Sequence, residues 1–238
     1  MCGRYTLTKR PEDIHKLIPF RGDTSAFKPR YNVAPTQRAP VVTMACEWKW
    51  MRWGLIPAWA TEASIGAKMI NARSETVGDK PAFKRLLPSQ RCLVPADGFY
   101  EWQVLARGKQ PHYFQVDGGA LFCFAGLWDL WRTPAGETWE TFTLLTTRAN
   151  GTVQPIHHRM PVVLTAERIG LWIQEGPLSR DTLDHIRQPL SEERIGSYPV
   201  QTKVNRALHD AADCIEPLGR TSAAAPEVAP PQELDLGL

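Results

Sequence analysis

No stretch of the 238 residues approaches the run of about 18 to 20 apolar side chains that a membrane-crossing helix needs. The opening MCGRYTLTKR also lacks the apolar centre of a secretory signal, so a cytoplasmic protein with no membrane partner is expected. Cysteine is sparse: Cys2, Cys46, Cys92, Cys123 and Cys214 are odd in number, widely spaced and without a Cys-x-x-Cys pair. That pattern argues against a disulfide framework and a structural zinc site, and predicts free thiols. The chain has no G-x-G-x-x-G, Walker A or G-x-S-x-G pattern, which removes the common nucleotide-binding and hydrolase readings. It has no fixed-period repeat and no basic cluster for nuclear import, the latter favouring a bacterial cytosol.

What is present describes an ordinary globular chain. A hydrophobic fraction of 43% beside 22% charged residues suits neither a disordered nor a fibrous protein. The length allows one large domain with a substantial core. Residues 221–238 carry three acids (Glu227, Glu233, Asp235) and no Lys or Arg, so the rest of the chain is more basic than the overall net charge of +3. That balance is compatible with a nucleic-acid partner without demanding one. The Ala/Pro-rich end cannot offset its own ordering entropy, which divides the chain into a folded domain over 1–217 and a disordered tail over 218–238.

Hydrophobic periodicity predicts a short helix over 11–18, opened by Pro11 and two acids. Short strands follow, including 41–46, 47–53 and the runs RCLVPADGFYEW, HYFQVDG, ALFCFAGLW, TFTLLTT and MPVVL. Helical signals return at 165–174 with a Thr cap, at 179–187 and near 191–195. Few long helices are available to cover a parallel sheet. The expectation is therefore an α+β single domain with a mainly antiparallel, barrel-like or sandwich core and peripheral helices.

Cys2 carries the most chemical information. Removal of Met1 would leave an α-amine and a thiol on one residue, a 1,2-aminothiol. With pKa values of about 7.8 for an α-amine and about 10.4 for Lys, roughly a third of the amine is neutral near pH ~7.5, against about one part in a thousand for Lys. An aldehyde meeting this group can form a Schiff base and then be trapped by the thiol as a five-membered thiazolidine. The natural aldehyde in DNA is the ring-opened abasic sugar. A cysteine at position 2 can equally be incidental.

Three segments add polar groups to apolar surroundings: MINARSET, ADGFYEW and IHHRMP. Asn71 and Glu101 are each either satisfied structural groups or parts of a site. Glu101, among aromatic residues, would favour its protonated form and suit general acid and base work. His157 could shuttle a proton, although a surface or core role is commoner for such a residue. Arg4, Arg73 and Arg159 lie in or beside the same kind of segment and would suit a phosphate backbone, if they are not spent on surface salt bridges. Trp59 could stack on a base, and Pro35 could act as a wedge between bases. A metal reading of the adjacent His157 and His158 fails, because neighbours on a strand point to opposite faces and no Cys or His lies at ligand spacing.

These blocks, MCGRYTL, RYNVAPTQ, WGLIPAWA, MINARSETV, FKRLLPSQRCLVPADGFYEW, FAGLWDLW, TFTLLTTRAN and IHHRMPVVL, occur in an order that resembles the SRAP family of abasic-site-processing proteins over nearly the whole chain to about Pro217. The resemblance implies an α+β domain with a β-barrel-like core and a basic groove. Separately, the residues give no signal for a cofactor, a metal or self-association, so a monomer without cofactor or metal is expected. The resemblance also implies a thiazolidine crosslink between Cys2 and abasic sites in single-stranded DNA, through lyase-like Schiff-base chemistry. Asn71 would orient the reacting group, Glu101 would handle protons during ring opening and closure, His157 would assist Schiff-base formation or reversal, and Arg4, Arg73 and Arg159 would hold phosphates. Two other readings stand beside it: a thiol peptidase using Cys2, Glu101 and His157, and a passive single-strand binder.

Overall fold

The computed structural model describes residues 2–219. Its strands are β1 (Arg4–Leu7), β2 (Arg30–Val33), β3 (Arg38–Thr43), β4 (Trp48–Trp53), β5 (Asn71–Arg73), β6 (Arg91–Ala96), β7 (Gly98–Val104), β8 (Lys109–Val116), β9 (Phe122–Arg132), β10 (Thr138–Arg148), β11 (Arg159–Pro161), β12 (Val163–Leu164) and β13 (Ile195–Pro199). The α-helices are short: α1 (Pro11–Leu17), α2 (Pro81–Lys84), α3 (Ala166–Ile173) and α4 (Arg180–Ile186).

Five strands close on themselves. β3 pairs with β4 and β6, β6 with β9, and β9 with β10, all antiparallel, and a parallel β10–β4 pairing completes the ring. Closure removes the sheet edges that would otherwise be left unpaired. The remaining large sheet runs β13-β8-β7-β1-β2 and lies against this barrel. Tyr5 of β1 meets Trp53 of β4 and Phe124 of β9 edge-on at 5.3 and 5.7 Å, while Phe99 of β7 stacks on Phe114 of β8 at 4.9 Å. The main core is thus the seam between barrel and sheet, and Cys2 belongs to it.

The chain passes from barrel to sheet at Asp97, between β6 and β7. Its carboxylate accepts hydrogen bonds from the Thr6 and Thr8 hydroxyls and from the backbone N–H groups of Thr8 and Lys9, tying the end of β1 to this corner. The next residue must be glycine, since a Cβ at Gly98 would sit 2.1 Å from the Tyr113 hydroxyl. The sequence places a fixed corner immediately before the strand that carries Glu101.

Several local expectations shift. The two strands expected over 41–53 are separated by a turn at 44–46, closed by Cys46 N–H donating to the Thr43 carbonyl and by Cys46 at a left-handed φ of +54°. Trp48, Met51 and Trp53 are all buried although alternation puts Trp48 on the face opposite the other two, because Phe20 and Phe27 cover the Trp48 face. The Thr165 cap of α3 is also corrected: its hydroxyl donates to Glu167 and accepts no helix N–H. Ser179 does cap α4, accepting from Thr182 N–H at 3.0 Å. The helix expected near 191–195 is a single 3-10 turn over Glu192–Arg194 followed directly by β13. No described helix is long and apolar enough to cross a membrane, and all five cysteines are free thiols. Of the tail expected over 218–238, residues 220–238 lie outside the described residues, while Leu218 N–H donates to the Pro199 carbonyl.

Candidate active site

Cys2 lies two residues before β1 and is wholly buried. Asn71 holds it: the side-chain amide donates from Nδ2 to the Cys2 carbonyl at 2.8 Å. Asn71 can do so because β5 is laid parallel along β10, with Asn71 opposite Leu144. The other amide atom, Asn71 Oδ1, is buried with no hydrogen-bond partner. An acceptor beside the residue that would carry the free amine is therefore available for an N–H. Burial, with the nearby Glu101 carboxylate adding to it, pushes the Cys2 thiol well above its ordinary range.

Glu101 follows Tyr100, the last β7 residue paired with β1 (Arg4 opposite Tyr100), so the register carries it alongside the amino-terminal residues. It is 2% exposed, and burial raises its carboxyl to about 7. Near neutral pH it is therefore divided between acid and base forms. His157 precedes β11, with Arg159 N–H donating to its Nδ1 at 2.9 Å. The same Nδ1 lies 3.2 Å from the Arg159 carbonyl, so the backbone of residue 159 fixes the ring's orientation. The ring stacks on His158 at 4.4 Å, and desolvation lowers its pKa. Arg4, Glu101, Trp102, Lys109, His157 and Asn205 line one cleft of about 510 Å³.

The residues expected to hold DNA are distributed differently. Arg4 donates from Nη1 to Asn32 Oδ1 and to the Val204 carbonyl, with its guanidinium 6.0 Å over the Trp102 ring, so it both faces the cleft and braces its wall. Arg73 is exposed at the end of β5. Trp59 is 61% exposed and borders a separate hollow with Glu62 and Lys68. Pro35 is half-buried in the β2–β3 turn, beside Thr36 at a left-handed φ of +70°. Arg159 is only 8% exposed, and its guanidinium forms a two-pronged ion pair with Glu75 (2.7 and 2.8 Å) while donating to the Thr146 carbonyl. A phosphate contact from Arg159 would have to displace Glu75, so this geometry assigns it first to fastening β11 and the His157 turn to β10.

The family model described as SOS response associated peptidase (SRAP) matches residues 1–207. The chain belongs to the SRAP family. Its relatives include the abasic site processing protein YoqW of Bacillus subtilis, 39% identical over 91% of this chain and 99% of that protein. The abasic site processing protein HMCES of Xenopus tropicalis is 31% identical over 96% of this chain and 82% of its own length. Among solved structures, a Bacteroides thetaiotaomicron protein superposes with a TM-score of 0.83 at 27% identity, covering 91% of this chain and all of the other. A Bordetella bronchiseptica protein gives 0.72 at 26% identity, covering 84% and 100%.

Some residues that build this SRAP site are not evident from its motifs. Asn32, buried in β2, donates from Nδ2 to the carbonyls of Val204, Arg206 and His209, and Asp210 accepts from the N–H groups of Tyr31 and Asn32. Together they clamp residues 204–210 onto the sheet. Asn205 Oδ1 then accepts from Trp102 Nε1 at 2.7 Å, completing the cleft wall. An amide inside the apolar strand RYNV was the available signal. Outside the cleft lining, His209, Asp213 and Cys214 each bring a ligand atom within 4.8 Å of the others. A 3-10 turn at Ala212–Ile215 creates this grouping, while Lys203 Nζ, 2.8 Å from Asp213, already neutralises its carboxylate.

Proposed function

We propose that this protein processes abasic sites in single-stranded DNA by forming a covalent thiazolidine through Cys2 once Met1 has been removed. The observation that carries the reading is the placement of Cys2, held by Asn71 and close enough to Glu101 to feel its charge, behind a cleft lined by Arg4, Glu101 and His157. The names of the relatives, abasic site processing proteins, supply the substrate class.

The α-amine of Cys2 attacks C1′ of the ring-opened sugar, giving a carbinolamine. Protonated Glu101 donates to the departing hydroxyl, water leaves, and a C=N bond forms. The thiol then adds to that carbon, the C=N electron pair returns to the nitrogen, which keeps its own proton, and the thiol proton passes to Glu101, restoring its acid form. One water is lost overall. The raised thiol pKa supports this order, because a buried thiol is a poor first nucleophile whereas the amine needs no thiolate. His157, whose pKa is lowered by desolvation and which lines the cleft, is suited to opening the sugar ring or assisting reversal.

The test is heat-resistant retention of a labelled abasic strand on denaturing gels. Wild type should be retained, Cys2→Ala should give no heat-stable adduct, and Cys2→Ser should give at most a labile imine. Equal heat-stable retention by Cys2→Ser would rule out the thiazolidine. Peptide cleavage by a protein that ignores abasic DNA would favour the peptidase reading, and equal affinity for intact and abasic strands with no adduct would favour passive binding.

A further inference from the structure

Arg38 of β3 and Arg52 of β4 face each other directly in the antiparallel register. Like charges opposite one another disfavour strand pairing, and a carboxylate between them would ordinarily relieve it. None does so here. Arg38 donates to the Trp50 carbonyl and Arg52 to the Thr36 carbonyl, while Glu140, which lines the same hollow, is ion-paired with Lys49 at 2.6 Å. Arg52 Nε is buried without a hydrogen-bond partner. Its guanidinium lies 5.8 Å over the Trp139 ring, and Thr36, Arg38, Arg52, Trp139 and Glu140 enclose a hollow of about 230 Å³. Thr36, a β-branched residue held at a φ of +70°, forms its rim.

The β2–β3 turn, which supplies Thr36 to the hollow, is also tied to the chain segment that walls the cleft. Gln37 accepts from Arg30 and Ala34 N–H, and donates to the Ala207 carbonyl, so this turn is fastened to the segment carrying Asn205. On β10, Arg52 lies opposite Thr141 and Asn71 opposite Leu144. Three residues of strand are about 10 Å, and their odd spacing puts the two side chains on opposite faces of the barrel wall. A strand leaving the cleft would bend over the rim at Pro35 and Thr36 to reach the hollow.

We propose that Arg38, Arg52 and Trp139 form a second subsite, holding a backbone phosphate of the same DNA strand outside the reaction cleft, with the indole against the neighbouring base. The pairing of two cations with an aromatic wall fits a nucleotide: guanidinium groups recognise phosphate oxygens, and any base can stack on an indole. This inference rests on the DNA reading above.

The test is the salt dependence of non-covalent binding to an intact single strand, compared between wild type and Arg38→Gln/Arg52→Gln. Each lost phosphate contact should lower the log–log salt slope by about 0.7, so affinity should fall about 2.6-fold less between ~50 and ~200 mM salt. Arg52→Gln alone, which removes the opposed charge, and Trp139→Ala, which should weaken binding without changing the slope, give two further variants in case the double one folds poorly. An unchanged slope in folded variants would overturn the subsite. Failure of wild type to form an adduct with abasic DNA would defeat the proposed function, yet would leave the slope comparison to decide the subsite independently.

Discussion

At the residue scale, Glu101 links stability and chemistry. A carboxyl raised from 4.5 to about 7 binds its proton more tightly in the folded chain than in the unfolded one. The folded state therefore loses stability as pH rises through the interval between those values, and above about 7 it bears a cost on the order of 3 kcal/mol. Glu101→Gln should stabilise the protein at pH ~8 and change little at pH ~4, which thermal unfolding at the two values checks. The same variant should form the adduct more slowly and lose the decline in wild-type rate above about pH 7, where the acid form of Glu101 is depleted. Glu101 and Asn71 stood out in the sequence, because an acid and an amide among Ile70, Phe99, Tyr100 and Trp102 need partners or a task, and the Asn71 bond to the Cys2 carbonyl is one such partner. The pairing of Arg159 with Glu75 was not legible there, since both lie in polar motifs and only the approach of β5 and β11 to β10 brings them together.

At the element scale, the cleft depends on chain segments held by buried side chains rather than by long helices. Arg91, at the start of β6, is buried with no acidic partner among the described residues and donates to the carbonyls of Leu87, Trp172, Gln174 and Gly176. It thereby caps the end of α3, whose last carbonyls lack helical partners. Arg91→Ala leaves those groups buried and unpaired, and should cost at least about 3 kcal/mol in denaturant unfolding. A loss under about 1 kcal/mol would show that water replaces the guanidinium readily. The long barrel strands were readable from their alternation and Gly, Pro and Asp boundaries. β2, β5 and β13 were not singled out, being short and dependent on partners distant in sequence: β5 exists as a strand because β10 offers it a parallel edge.

For the whole molecule, the sequence pointed to an antiparallel barrel or sandwich, and the parallel β10–β4 pairing is what closes the barrel. No local pattern encodes it, since it joins strands about 90 residues apart and depends on both faces of β4 being covered. Closure leaves the five-stranded sheet to seal one side, and the opening residues enter at that seam, where Asn71 from the barrel side and Glu101 from the sheet side meet Cys2. The central claim is that this meeting point makes a thiazolidine. Intact-mass analysis of the full chain after reaction with a single strand bearing one abasic site tests it most directly. The account predicts an adduct beginning at Cys2, equal in mass to protein plus strand less one water and resistant to heat without borohydride. An adduct that retains Met1, or no adduct from protein confirmed to begin at Cys2, would contradict it.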